Sequence, residues 1–196
     1  LAAQQYELAE SLEPKNPFIK FMLAKVYKTA KLPEKAIALL DKAIALNPKY
    51  TLALRYLAAL YYFDRKWEKA LEAYTNLVNN GDAVIIEDEM QLANCQFVNK
   101  KYPDCIKTVE KIMAKDRSKT YLVRLLAYCA YETGDFAKCL TTMQQYFKEA
   151  PADKVLWSDY KYRGQSMVKT KGDTLAGIES LKKAIVLDTA AGTETW

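Results

Sequence analysis

The chain has 196 residues, 51% hydrophobic and 27% charged, with six Gly, six Pro and a formal net charge of +5, a balance that excludes disordered, collagenous and low-complexity classes. There is no histidine, which removes Ser-His and Cys-His nucleophiles and His-ligated metals together. Neither a G-x-G-x-x-G nor a G-K-[ST] phosphate loop occurs, so neither enzymatic chemistry nor a cofactor or metal is expected.

The segments repeat in chain order. Residues 1–16 carry Ala2, Tyr6, Ala9 and Pro14, the pattern of the second helix (B) of a helix pair whose first helix (A) does not precede it. Residues 17–50 open at Asn16-Pro17. They place Leu23, Ala24 and Tyr27 on one face of helix A and Ala36, Leu40 and Ala43 on one face of helix B, at the spacings that stack side chains on one helix side. Residues 51–85 repeat this with Ala58, Tyr61, Ala70, Tyr74 and Leu77. Residues 86–119 repeat it with Ala93, Cys105, Val109 and Ile112, and residues 120–153 with Ala127, Cys139, Met143 and Tyr146. The step is 34 or 35 residues. Residues 154–191 form a fifth unit on Gly164, Gly177, Leu181 and Ala184, with an insertion expected between Val168 and Gly172. Residues 192–196 read as the start of a truncated repeat, so the chain is expected to be an excerpt of a longer array. The stretches around Pro33, Trp67, Pro103, Gly134 and Lys171-Gly172 read as tight A–B turns. Small residues at Ala24, Ala36, Ala58, Ala70, Ala127 and Cys139 let two helices approach closely where they cross. The longest apolar stretch, Thr51–Phe63, carries Arg55 and is too short to span a bilayer.

A period of 34, with a small residue and an aromatic three apart in helix A, Ala-x-x-x-aromatic/Leu in helix B and a closing Pro, resembles the tetratricopeptide repeat. The resemblance covers nearly the whole chain. Unit three departs from it with Gln96 in place of Tyr and no closing Pro. It implies an all-α fold: a right-handed superhelical solenoid of about five antiparallel helix pairs. It also implies a non-catalytic scaffold that binds another protein through the concave face lined by the A helices. Two alternatives stand beside it: a structural spacer or oligomerisation module, and a single-stranded RNA-binding repeat with aromatic stacking platforms. Nucleic acid is the less favoured partner, because the basic residues are interspersed and not clustered.

Helix A is too apolar for a solvent face, so its leftover residues are candidates for a partner-binding groove. Slot by slot they form three ladders. One runs Phe21, Arg55, Met90, Arg124 and Lys161; the second starts Lys25, Ala59, Asn94 and Tyr128; the third starts Lys28, Tyr62, Phe97 and Tyr131. Tyr56 and Tyr121 flank them. An aromatic groove with basic rungs suits a partner segment carrying acidic and apolar or aromatic side chains. The carboxylate clamp of chaperone-binding tetratricopeptide domains is not carried, since Phe21 and Met90 stand where Lys is needed. Cys95 and Cys129, and Cys105 and Cys139, are repeat-equivalent. They read as buried thiols, with Cys95–Cys105 and Cys129–Cys139 disulfides or a zinc site as alternatives. Arrays of this Lys- and Tyr-rich kind resemble those of bacterial envelope proteins, which leans the expected compartment towards the periplasm over the cytoplasm.

Overall fold

The computed structural model describes residues 2–170 and 172–193. Among them are eleven α-helices, one short 3-10 turn at Ala152–Lys154 and no strand. The helices are α1 (Ala2–Leu12), α2 (Pro17–Thr29), α3 (Pro33–Leu46), α4 (Thr51–Phe63), α5 (Trp67–Asn80), α6 (Ile86–Val98), α7 (Tyr102–Lys115), α8 (Thr120–Glu132), α9 (Phe136–Glu149), α10 (Trp157–Lys169) and α11 (Thr174–Thr193). None is long and apolar enough to cross a membrane. The chain divides into two compact units, Leu1–Lys100 and Lys101–Trp196. Each is a stack of antiparallel helix pairs, a solenoid architecture.

In the first unit, α2 pairs with α3 and α4 with α5, while α1 and α6 flank them. Pro17 and Pro33 occupy first-turn positions, where the missing N–H has no intrahelical partner to lose. The Asn16 side chain caps α2 by accepting from the Phe18 N–H at 3.0 Å. Ala24 and Ala36 are fully enclosed, as are Ala58 and Ala70, so the small residues do sit at the helix crossings. α1 is fastened to α2 by the Glu10–Lys20 ion pair at 2.6 Å. The Tyr27 hydroxyl also donates to the Glu7 carboxylate at 2.6 Å.

In the second unit, α8 pairs with α9 and α10 with α11. Ala127 and Cys139 are fully buried. At the last crossing both positions are glycine. A Cβ on Gly164 would sit 2.7 Å from the Gly177 carbonyl oxygen. The unit also shows why helix A is apolar all round. α8 buries Leu122, Val123, Leu125, Ala127, Tyr128, Cys129 and Ala130, whereas α9 buries only Cys139, Met143 and Tyr146. An A helix is enclosed between its own partner and the preceding B helix, so much of its apolar surface is core.

The A–B turns share one geometry. Leu32, Lys66, Asp135 and Gly172 each donate a backbone N–H to the carbonyl five residues back, at Tyr27, Tyr61, Ala130 and Met167. This closes a Schellman-type helix end. The residue before it is left-handed: Lys31 at φ 58°, Arg65 at φ 56° and Gly134 at φ 86°. In the fifth unit the two roles that Asp135 combines in the fourth are split over Gly172, which keeps this bond, and Asp173, which caps the next helix, so the extra residue lies within this turn. Asp173 then accepts from the Ala176 N–H at 3.0 Å. Lys171, expected in that turn, and the last three residues, expected to begin a new repeat, lie outside the described residues. Replacing Gly134 by Ala should cost about 1 kcal/mol in urea-induced unfolding. No heavy atom lies within 4 Å of the added Cβ, so the whole effect is backbone strain.

Candidate binding surface

Within each unit the A helices lie side by side, and the side chains between them decide what remains open. Phe21 of α2 is buried, packed edge-on against Tyr50 (5.9 Å) and against Tyr56 of α4 (5.8 Å). Arg55 of α4 reaches α6. Its Nε donates to Asp88 Oδ1 at 2.7 Å and its Nη2 to Asp88 Oδ2 at 2.7 Å. Nη2 also donates to the Ala83 carbonyl at 3.1 Å. Asp88 is itself buried, and its Oδ2 accepts from the N–H of Ile85, the residue preceding α6. Donating to the Asp88 carboxylate holds the Arg55 guanidinium above its ordinary pKa.

The same arrangement recurs in the second unit. Arg124 of α8 donates through Nε to Asp159 Oδ1 at 2.8 Å and through Nη2 to Asp159 Oδ2 at 2.9 Å. Nη2 also reaches the Lys154 carbonyl and the Tyr146 hydroxyl. Asp159 is 0% exposed. It further accepts from the Tyr128 hydroxyl and the Leu156 N–H, both at 2.7 Å. Ala83 and Lys154 each stand five residues before their aspartate. One three-point device (arginine, loop carbonyl, helix-N-terminal carboxylate) therefore pins two of the joints between A helices.

Arg55 and Arg124 were expected as open basic rungs, and Phe21 and Tyr128 as groove-lining rings. The structure places all four in contacts between helices. The arginines are neutralised by carboxylates from the next A helix, and the two rings are buried. Composition and slot pattern gave no place to Asp88 and Asp159. The available signal was an acidic residue in the first turn of the A helix that follows an arginine-bearing one.

Other expected residues remain at the surface. Lys25 and Lys28 are exposed, and Tyr56, Tyr62, Met90, Asn94, Phe97, Tyr121, Tyr131 and Lys161 are half-buried. Lys25 lies over the Phe21 ring at 5.7 Å. Tyr62 packs edge-on against Phe63 at 6.0 Å, Trp67 at 5.4 Å and Tyr74 at 6.5 Å. Phe63, at the end of the same helix and outside the three ladders, is 83% exposed. With Lys28 and Leu60 it lines a cleft of about 360 Å³ between the α2–α3 turn and the end of α4. In the second unit, Tyr162 stacks on Tyr128 at 4.1 Å and meets Tyr131 edge-on at 5.0 Å. Its hydroxyl donates to Glu132 at 2.8 Å. Burial raises the phenol pKa of Tyr56, Tyr62 and Tyr131 and pushes that of Tyr74 up to about 12. These rings therefore act as neutral donors and apolar surface at physiological pH.

All four cysteines are buried thiols outside any disulfide among the described residues. Burial pushes the Cys95 thiol up to about 12. The Cys105 thiol is raised by its hydrogen bond with Cys129 and by burial. These are inert small side chains in the core.

Residues 17–60 match the tetratricopeptide-repeat family model. No curated protein sequence matches the chain. Among solved structures, the chain is similar to YrrB, described as a tetratricopeptide-repeat protein with an unusual peptide-binding site. The identity is 14%, over 95% of this chain and 93% of that one, with a TM-score of 0.75. It is also similar to a MamA protein at 16% identity, over 92% and 96% of the two chains, TM-score 0.72. MamA from Desulfovibrio magneticus RS-1 is similar at 13% identity, over 89% and 96%, TM-score 0.71. The fold is that of tetratricopeptide-repeat solenoids.

Proposed function

We propose that the chain, which has the tetratricopeptide-repeat fold and matches that family's model over residues 17–60, is a non-catalytic scaffold holding a segment of another protein against the A-helix face. The observation that carries this reading is the first unit's cleft, which the exposed side chains of Phe63 and Lys28 both line. Lys25, Tyr56, Tyr62, Met90, Asn94 and Phe97 extend that surface along the A helices. Tyr121, Tyr131 and Lys161 provide a corresponding surface in the second unit. Peptide binding, described for YrrB, thus comes to this chain with a chemistry of its own. The favoured segment carries an apolar or aromatic side chain for the cleft and carboxylates for the lysines. An aromatic anchor in such a cleft is the kind of contact that dominates protein interfaces.

The Arg–Asp pins support a second reading, a rigid spacer, because they spend the arginines on internal stiffness. Selection of random peptides displayed on phage against the protein separates the two. The scaffold reading predicts enrichment of sequences combining Asp or Glu with an aromatic residue. It also predicts at least about tenfold weaker binding of the selected peptide to Lys25→Glu/Lys28→Glu. No enrichment, or peptides indifferent to that double substitution, would leave the spacer.

A further inference from the structure

A polar crevice of about 300 Å³ opens between two successive B helices of the first unit. It is lined by Asp41 of α3, Leu57 and Tyr61 of α4, and Lys69, Glu72 and Asn76 of α5. Helices pack on either side of it, α2 on α3 and α6 on α5, so the crevice belongs to the interior of the array.

Its carboxylates lack a cation. Asp41 and Glu72 make neither a hydrogen bond nor an ion pair among the described residues. Lys69 shares the crevice, but its ammonium rests over the Tyr61 ring at 5.7 Å and closes no ion pair there. Burial raises the Asp41 carboxyl above its ordinary pKa, and the Lys69 charge offsets part of that. Burial also raises the Tyr61 phenol, and the charges of Asp41 and Glu72 add to it. Both carboxylates are therefore close to one ring, in a place where desolvation leaves them short of a partner.

The second unit holds the matching crevice with its charges reversed. Lys69, Glu72 and Asn76 are the third, sixth and tenth residues of α5, and the same positions of α11 are Ala176, Glu179 and Lys183. Leu57, the seventh residue of α4, corresponds to Arg163, the seventh of α10. Two cations there accompany one carboxylate, Lys183 lies over the Tyr160 ring at 4.5 Å, and about 210 Å³ stays open. One crevice thus carries its own cation beside the shared glutamate position. The other keeps that glutamate, adds Asp41, and has Asn76 where the lysine would stand.

We infer that the first-unit crevice receives an arginine side chain from a basic segment of another protein. The guanidinium lies between Asp41 and Glu72 with its flat side towards Tyr61. Its planar fork of N–H donors can meet two carboxylates and an aromatic ring together, which a compact ammonium does poorly. A second copy of this chain is a poor source of that arginine, because two chains of net charge +5 repel each other. The inference does not rest on the A-helix surface, whose lysines call for the opposite charge.

The probe is N-acetyl-arginine methylamide, titrated into the whole isotope-labelled protein and followed by NMR. Binding should saturate and shift the amide signals of Asp41, Tyr61 and Glu72. The citrulline analogue, of the same length but uncharged, should not bind. Asp41→Asn combined with Glu72→Gln should weaken binding at least about fivefold, and Lys69→Met should strengthen it by removing the competing cation. Lys25→Glu/Lys28→Glu should leave it unchanged, which separates this test from that of the A-helix surface. Shifts that do not saturate, equal binding of citrulline, indifference to the paired carboxylate substitutions, or weaker binding in Lys69→Met overturns the inference. So does self-association in sedimentation that the Asp41→Asn/Glu72→Gln pair abolishes, since the occupant is then a second copy.

Discussion

Asp159→Ala should destabilise the second unit by about 3–5 kcal/mol, the range for removing one member of a buried ion pair. The carboxylate accepts four hydrogen bonds, two from Arg124 and one each from Tyr128 and the Leu156 N–H. Without it the guanidinium, whose side chain is 16% exposed, keeps its charge in a nearly closed site. The Tyr128 hydroxyl keeps Ser158 as a partner at 2.7 Å, but the Leu156 N–H loses the acceptor that caps α10. Asp88→Ala should cost less, because the Arg55 side chain is 32% exposed and water replaces part of what is lost. Urea unfolding followed by circular dichroism measures both. The pair as a whole contributes less than either truncation suggests. Arg124→Met combined with Asp159→Leu should recover most of the stability lost in Asp159→Ala, since two apolar side chains leave no uncompensated charge. Equal losses for Asp88→Ala and Asp159→Ala would show that burial does not set the cost.

Gly164→Ala should be the second large effect. The new methyl would lie 2.7 Å from a backbone carbonyl oxygen and 2.8 Å from Leu181 Cγ. A backbone carbonyl cannot rotate aside as a side-chain tip can, so α10 and α11 must separate. The expected loss is about 1–3 kcal/mol, the usual cost of overpacking a close contact. Gly177→Ala, whose nearest atoms all stand at 3.2 Å, should cost clearly less. Thermal unfolding of the two variants gives the comparison, and a Gly164→Ala protein as stable as the parent would mean that the crossing is slack.

The repeat, the helix pairing and the small residues at the crossings were legible because each follows from a spacing within one segment. Ala24 with Ala36 and Gly164 with Gly177 are read directly from the period. The fate of the A-helix face was not legible in the same way. Arg55 and Arg124 look like groove rungs while the A helix is viewed alone. Their partners, Asp88 and Asp159, lie in the next A helix, and no property of a single helix announces that pairing. The burial of Phe21 similarly depends on Tyr50, at the end of its own repeat, and on Tyr56, which belongs to the following one. For the insertion in the fifth unit, spacing says only that a residue is added near this turn, where Gly172 and Asp173 share the two roles of Asp135. Phe63 is one of the leftover apolar residues of its helix, but it stands at the helix end, outside the ladders that the period defines.

Photo-crosslinking tests the scaffold reading most directly. Benzoylphenylalanine is placed at Phe63, in the cleft, or at Glu72, on the exposed face of α5, and each protein is irradiated with the selected peptide. The account predicts a crosslinked peptide from position 63 and none from position 72. Crosslinking from position 72 with none from position 63 would contradict it.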